Sequence, residues 1–323
     1  MTVIPLAAVT LLAWEAMRFH IWWGLLLIPL AAAFLVRLFM IQHDCGHAAF
    51  LPWRPLNDWL GRALGVLTLT PYDYWRAAHA VHHASSGALD RRTLGGIETL
   101  TVDEYRALGP WRRLGYRVYR HPMVMFGVGP AFVFLLQHRL PVGLMRGGWK
   151  PWVSVLATDL GIAAMAVAMT WIFGLGPFLI VYLPLVTLAA SAGVWLFFVQ
   201  HQFEHAYWRR DGAWSFDDAA LRGSSHYDLP APLRWFTANI GVHHVHHLSS
   251  RIPYYRLGQV MREEPELRAA TRLTLVGSLR CPRLALWNEA AGRLISFREM
   301  GRLARTLPTQ PAIARDPGPG SLI

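Results

Sequence analysis

The chain has 323 residues, of which 54% are hydrophobic, and a formal net charge of +11 that comes almost entirely from arginine. This composition excludes an average soluble domain and predicts an integral membrane protein. Because the arginines flank long apolar runs, they indicate cytoplasmic loops beside anionic lipids and not a nucleic-acid-binding surface.

Four apolar segments are candidates for membrane-spanning helices, since a helix needs ~20 mostly apolar residues to cross the hydrocarbon core. Only a three-residue polar turn separates the first two segments, and the uncharged turn "GLG" separates the last two. Turns this short predict two helical hairpins. The four segments are residues 3–17, 21–41, 152–173 and 177–199.

This arrangement places the remaining polar stretches, residues 42–150 and 200–323, on the same side of the membrane. They contain 13 and 16 of the 31 Lys and Arg residues, so the positive-inside rule assigns that side to the cytoplasm. The apolar stretch 122–137 is too short to span and is predicted to be interfacial or re-entrant. Asp159 is expected to face the helix bundle near the cytoplasmic end, with a hydrogen-bond partner.

A single domain is predicted for residues 1–305, because neither a linker nor an internal repeat divides the chain. Residues 306–323 are rich in proline and glycine and lack apolar periodicity, which predicts a disordered tail.

Four histidine clusters follow or lie between the predicted spans, in the segments "HDCGH", "HAVHH", "HQFEH" and "HHVHH". Spacings of three and four residues place side chains on one face of a helix, so that two imidazoles can converge on one metal ion. With His244 treated as an x position of the H-x-x-H-H spacing, the clusters use ten of the 15 histidines, too many for one four-coordinate zinc. The ten candidate ligands are His43, His47, His79, His82, His83, His201, His205, His243, His246 and His247.

Ten imidazoles suit two metal ions with about five ligands each. Imidazole binds zinc, copper, iron and nickel, so the residue type alone does not choose the metal. Asp44, Glu204 and Asn239 are adjacent to or near ligands in sequence and are expected to orient the rings. The role of His244 is left open, since it is either a residue that orients a ligand or a surface residue. The other four histidines are expected to be unrelated to metal: His20, His121, His138 and His226.

The clusters resemble the three histidine boxes of the membrane-bound fatty acid desaturases, H-x-x-x-H and two of H-x-x-H-H. The longer segments "TPYDYWRAAHAVHHASSGALDRR", "VQHQFEHAYW" and "NIGVHHVHHLSSRIPYYRL" look like the bacterial acyl-lipid branch that includes omega-6 enzymes. The resemblance implies an all-α integral membrane protein with four transmembrane helices in two hairpins and a cytoplasmic helical cap. It further implies a bacterial inner membrane, with the active site facing the cytoplasm.

The same resemblance implies the chemistry. Two Fe ions would be held by the eight histidines of the three boxes, together with His201 and His205 of the additional ligand segment. The enzyme would use O2 to place a cis double bond in a lipid-linked acyl chain. Electrons would come from a separate donor such as ferredoxin or cytochrome b5, because the chain contains no H-P-G-G haem motif.

Two alternatives compete with a desaturase. A related di-iron hydroxylase or ketolase acting on an alkane or a carotenoid would insert oxygen instead. A metal transporter would need ionisable residues through the bilayer, where the predicted spans offer almost none besides Asp159.

Two further sets of residues have both a functional and a purely structural interpretation. Trp195, Phe197 and Phe198 are candidates for lining an acyl tunnel or for ordinary packing. The arginines Arg76, Arg91 and Arg92 are candidates for binding a lipid phosphate or an acidic donor, or for a solvated surface.

Overall fold

A computed structural model describes residues 1–92 and 95–306. The predicted tail therefore lies outside the described residues apart from Thr306, and the single-domain boundaries stay a prediction. The described residues are mostly helical. In chain order the helices are α1 (Val3–Arg18), α2 (Ile28–Gly46), α3 (Arg54–Leu67), α4 (Tyr72–Ser85), α5 (Val102–Ala107), α6 (Pro110–Tyr119), α7 (Gly129–Leu135), α8 (Trp149–Phe173), α9 (Leu175–His201), α10 (Phe216–Gly223), α11 (Ala231–Phe236), α12 (His243–Leu248), α13 (Tyr254–Glu263), α14 (Leu275–Ser278) and α15 (Phe297–Thr306).

Among the described residues, three helices are long and apolar enough to cross a membrane. They are α8, α9 and the continuous helix Trp22–Gly46, which is a 3-10 turn followed by α2. A fourth span is reached only if Pro110–Tyr119 and Val124–Arg139, bent by 58°, count together. The first predicted span does form a helix, α1, but its 16 residues are fewer than the ~20 required. The four-span arrangement in two hairpins thus stays a prediction.

The apolar helices pack around one main hydrophobic core. Trp14 of α1 contacts Phe173 and Phe178, whose rings lie 5.4 and 5.8 Å away and flank the α8–α9 turn. That turn is closed by Gly174, whose φ of 87° lies in the left-handed region that glycine adopts without strain. Helices α1, α2, α8 and α9 are thereby held in one bundle.

Asp159 has a partner inside this bundle. Its carboxylate forms an ion pair with Arg139, which follows α7. Arg139 Nη2 also donates to the carbonyl oxygen of Leu69 at 2.6 Å. The expectation that Asp159 finds a partner is confirmed, and the apolar segment after residue 122 supplies it.

The prediction of an all-α protein misses two small sheets. Strands β1 (Leu100–Thr101), β4 (Leu286–Asn288) and β5 (Arg293–Ile295) form one sheet, with β1 parallel and β5 antiparallel to β4. Strands β2 (His226–Asp228) and β3 (Arg272–Thr274) form a parallel pair. With two or three residues each, they are too short to show the alternating pattern that predicts a strand.

Candidate metal centre

The histidine-bearing segments converge where the carboxyl ends of α2 and α9 meet α4 and α12. His43 lies in the last turns of α2 and His47 caps it, while α12 begins at His243. His201 is the last residue of α9. All of these residues come from elements that the hydrophobic core holds in place.

Nine of the ten predicted ligands fall into two groups. Within each group the candidate ligand atoms all lie within 4.8 Å of one another. The first group contains His43, His47, His79, His83 and His246, and the second contains His82, His201, His243 and His247.

Helical geometry explains the division between the groups. Successive side chains of an α-helix are rotated by about 100° around its axis, so two side chains four residues apart point in nearly the same direction. A side chain three residues further along is displaced around the axis in the opposite sense. On α4, His79 and His83 therefore enter the first group and His82 the second. On α12 the pair His243 and His247 enters the second group and His246 the first. Each H-x-x-H-H box thus supplies two histidines to one group and one histidine to the other.

The nitrogen positions fit a cation better than a hydrogen-bond network. The Nε2 atom of His79 lies 3.0–3.1 Å from three other Nε2 atoms, those of His43, His47 and His83. A ring nitrogen offers either one proton or one lone pair, so it cannot satisfy three such neighbours. Nitrogens bonded at right angles to one ion at ~2.1 Å stand about 3.0 Å apart.

The second group shows the same spacing. Its central Nε2 atom, on His201, lies 3.1 Å from Nε2 of His82 and 2.9 Å from Nε2 of His243. Nε2 of His247 is buried and has no hydrogen-bond partner among the described residues. Such an unpartnered buried nitrogen is costly unless a ligand satisfies it.

Burial keeps these imidazoles in the form that binds metal. Desolvation, followed by the neighbouring histidines, lowers the pKa well below its ordinary value for seven of them: His47, His79, His82, His83, His243, His246 and His247. A lowered pKa keeps each ring neutral at pH 7, with one nitrogen lone pair free for a cation.

Of the three residues predicted to orient ligands, one contacts a histidine. Asp44 Oδ1 lies 3.5 Å from His43 Nδ1, and Asp44 Oδ2 accepts the backbone N–H of Tyr254 at 2.7 Å. Glu204 instead pairs with Arg293 at 3.0 Å, on the exposed surface. The Asn239 side chain donates to the carbonyl oxygen of Tyr254 at 3.4 Å.

The structure does not bring His205 to either group. Helix α9 ends at His201, so the four-residue spacing no longer places the two side chains on one face, and His205 is exposed. His244 is buried beside His226, with ring centroids 6.0 Å apart, and also belongs to neither group. The sequence pattern alone did not reveal where α9 ends.

An apolar cavity of about 250 Å³ leads to the histidines. It lies between α2, α4, α7 and α9, and its wall includes His43 and His79 of the first group and His243 of the second. Most of the wall is hydrophobic, for example Leu35, Phe39, Phe134, Val186, Ala190 and Phe197. The described cavity therefore brings an alkyl-sized space against both groups.

Of the predicted tunnel residues, Phe197 lies in this wall. Trp195 and Phe198 instead pack against Phe126, with ring centroids 5.0 Å away in both cases. Trp75, which sequence reasoning did not single out, also lines the cavity and stacks on His79 at 4.6 Å. No pattern in the sequence distinguished Trp75 from the other tryptophans.

A second, polar cavity of about 480 Å³ reaches the histidines from another direction. Its wall includes His82 and His201 of the second group, two arginines, two glutamates and Phe197, which therefore lines both cavities. We call the first space the apolar cavity and the second, whose wall carries charged side chains among apolar ones, the polar cavity.

The three arginines considered as phosphate or donor ligands each pair with a carboxylate of the chain. Arg76 contacts Asp58 at 2.5 Å and Arg91 contacts Asp211 at 2.7 Å. The guanidinium of Arg92 binds both carboxylate oxygens of Glu104. Their charges are thus already matched within the protein.

Comparison with known proteins adds independent information. A family model described as "Fatty acid desaturase" matches residues 20–276. The chain is 42% identical over 308 residues to a fatty acid desaturase of Bacillus subtilis, an alignment that covers 95% of this chain and 87% of that protein.

Two cyanobacterial proteins are more distant relatives. The chain is 30% identical over 241 residues to an sn-1 acyl-lipid omega-3 desaturase (ferredoxin) of Synechocystis sp., covering 68% of this chain and 61% of that protein. It is 29% identical over 232 residues to an sn-1 oleoyl-lipid 12-desaturase of the same organism, with 69% and 63% covered. The chain therefore spans less than two thirds of the length of these two relatives.

Proposed function

The chain belongs to the fatty acid desaturase family, and we propose that it introduces a cis double bond into a lipid-linked acyl chain at a centre of two iron ions. The observation that carries this proposal is that histidines of both groups lie in the wall of one apolar cavity. The proposed metal ligands border an alkyl-sized space there, as oxidation of an acyl chain requires.

The proposed ligands are the nine grouped histidines, five for one ion and four for the other. When bound, the two iron ions would supply the redox chemistry with O2 that removes hydrogens from an unactivated methylene, which redox-inert zinc does not provide. The neutral imidazoles would hold the ions without adding negative charge, and the carboxylate of Asp44 lies 3.5 Å from Nδ1 of His43, on the side of the ring away from the proposed ion.

The apolar cavity positions the substrate. Its hydrophobic wall binds an alkyl chain by removing it from water, and it holds one pair of carbons beside the histidine groups. Phe39 and Trp75, whose ring centroids lie 5.5 Å apart, form part of the wall next to His43 and His79. Rigid aromatic side chains at this point restrict which carbons of the chain can reach the site.

The membrane setting and the partners belong to the same proposal. The concentration of arginine in residues 42–150 and 200–323 supports a multi-pass protein of a bacterial inner membrane with its histidine groups at the cytoplasmic side. Relatives named as acyl-lipid desaturases support a glycerolipid-linked substrate. One relative named with ferredoxin supports a separate donor of that kind, with cytochrome b5 as the other candidate.

The hydroxylase or ketolase alternative is not favoured, because the family model and the relatives described above are all named as desaturases. Product analysis separates the two reactions. A desaturase product has lost two hydrogens, whereas a hydroxylase product has gained one oxygen.

The test is expression in a bacterial host that lacks polyunsaturated lipids, followed by gas chromatography and mass spectrometry of the fatty acids. We expect a new cis double bond, and iron as the main metal of the purified protein. An active preparation that is free of iron, or one whose only product is oxygenated, would contradict the proposal.

A further inference from the structure

The two cavities that meet at the histidine groups differ in chemistry. The apolar cavity suits the acyl chain, but it offers few groups that bind water. The polar cavity instead contains Ser86, Glu98, Glu104 and Gln202 in its wall, and it touches His82 and His201 of the second group. The apolar cavity binds the acyl chain in the proposed function, whereas the polar cavity has no role in it so far.

The proposed reaction requires more than a path for the substrate. One CH2–CH2 unit, one O2, two electrons and two protons become one CH=CH unit and two water molecules. Two C–H bonds of the acyl chain are broken and O2 is reduced by the chain and by the external donor together. Protons must therefore reach the histidine groups from water, and product water must leave.

We propose that the polar cavity is the hydrated passage through which protons enter and product water leaves, and that the carboxylate of Glu98 relays protons at its outer end. The inference rests on the proposed function. An alkyl-lined space cannot conduct protons because it offers no chain of hydrogen-bonding groups, whereas hydroxyl, amide and carboxylate groups can hold water in line.

Glu98 is the carboxylate of this wall that is free to exchange protons. Glu104 is held by Arg92, but no ion pair or hydrogen bond of the Glu98 carboxylate occurs within the part of the chain that the structure describes. Glu98 is also exposed, so its carboxylate reaches solvent while its residue lines the cavity.

The backbone around Glu98 is fixed in place. Its N–H donates to the hydroxyl of Tyr119 at 3.1 Å, and its carbonyl oxygen accepts from Arg120 Nη1 at 3.1 Å. Arg120 is buried, and its Nη2 also donates to Gln202 Oε1 at 3.0 Å. One arginine thus ties the position of Glu98 to the residue that follows His201.

Phe197 is shared by the walls of the two cavities. Its ring lies 4.9 Å from that of His82 and 5.2 Å from that of His201, and it contributes to both walls. A hydrophobic partition at this point keeps water of the polar cavity away from the alkyl chain.

The first experiment measures hydration without relying on activity. Ser86→Cys places a thiol in the polar cavity and Val194→Cys places one in the apolar cavity, and both parent residues are partly buried. A small charged thiol reagent is applied to the purified protein as isolated, with the wild type as background because Cys45 and Cys281 are buried. We expect the thiol at position 86 to react at least tenfold faster than the thiol at position 194. Equal rates would show that the polar cavity is not a water passage.

The second experiment tests Glu98. For Glu98→Ala we expect turnover to fall by about tenfold, less than the ~100-fold loss typical of a group that transfers a proton in the transition state, because cavity water still carries protons. Added acetate should restore much of the loss by occupying the vacated space. Glu266→Ala, an exposed glutamate outside both cavities, serves as the matched control and should match the wild type.

A Glu98→Ala enzyme with wild-type turnover would overturn the role of Glu98, and so would a loss that acetate does not relieve. These outcomes are distinct from failure of the proposed function, in which the wild type itself yields no desaturated product. The thiol reaction rates remain informative in that case too.

Discussion

Helix α4 and the end of α9 carry similar histidine spacings with different results. On α4 the helix continues through "HAVHH", and all three histidines reach the two groups. On α9 the helix stops at the first histidine of "HQFEH", and the second histidine is left exposed. The spacing of ligands therefore predicts convergence only where the helix that carries them continues.

The largest effect is expected when a histidine is removed from α4, the helix that continues through its histidine segment. His83→Ala takes away one of the two candidate ligands that α4 gives to the first group, so we expect both loss of detectable desaturation and loss of metal. Metal content by elemental analysis and fatty acid profiles measure the effect. His121→Ala, an exposed histidine outside both groups, should match the wild type. Full metal content in His83→Ala would show that His83 is not a ligand.

The second test compares the two histidines at the end of α9. His201→Ala should lose the metal of the second group and nearly all activity, because three imidazoles would remain there. His205→Ala should retain both. An inactive, metal-depleted His205→Ala protein would mean that this segment rearranges when metal binds.

A smaller effect is expected from the neighbours of these histidines. Asp44→Asn removes the carboxylate beside His43, and such outer partners typically contribute about 10- to 100-fold in metal affinity. Glu204→Gln changes a carboxylate beyond the end of α9 whose side chain pairs with Arg293 and, among the described residues, with no histidine side chain, so metal affinity should not change. Competition with a chelator of known affinity measures both variants. Equal losses of metal affinity in Asp44→Asn and Glu204→Gln would contradict the different roles given to these two carboxylates.

The last prediction concerns the stability of the metal-free protein and its dependence on pH. The seven histidines with lowered pKa values remain neutral when folded, whereas in the unfolded chain they take up protons below pH 6.5. Stability is therefore greatest above pH 6.5 and falls as the pH drops toward the folded pKa values. Thermal unfolding at pH 7.5 and pH 5.5 measures this. A metal-free protein that is equally stable at both values would contradict the burial of neutral rings.

Much of the site was predictable from the sequence because local geometry determines it. The pairs His79 and His83, and His243 and His247, follow from helical periodicity alone, and the apolar runs predicted α8 and α9. The ligand roles themselves stay a prediction. The division into five and four imidazoles required the relative placement of four elements, which no single segment encodes.

The end of α9 shows why other features were not predictable. Neither glycine nor proline follows His201, so the usual helix-stop signals are absent. Distant residues instead hold the first residue after the helix, since the side chain of Gln202 accepts hydrogen bonds from Thr99 and Arg120. The cavities likewise depend on packing between segments far apart in the chain.

The composition of the two histidine groups has an electrostatic consequence. Both consist of imidazoles without a carboxylate, so two divalent ions bound there would place about four uncompensated positive charges in a poorly hydrated interior. Small anions such as azide or cyanide should therefore be attracted to the loaded centre far more strongly than to a carboxylate-bridged one. Inhibition by low concentrations of such anions is the expected chemical signature of this all-imidazole environment.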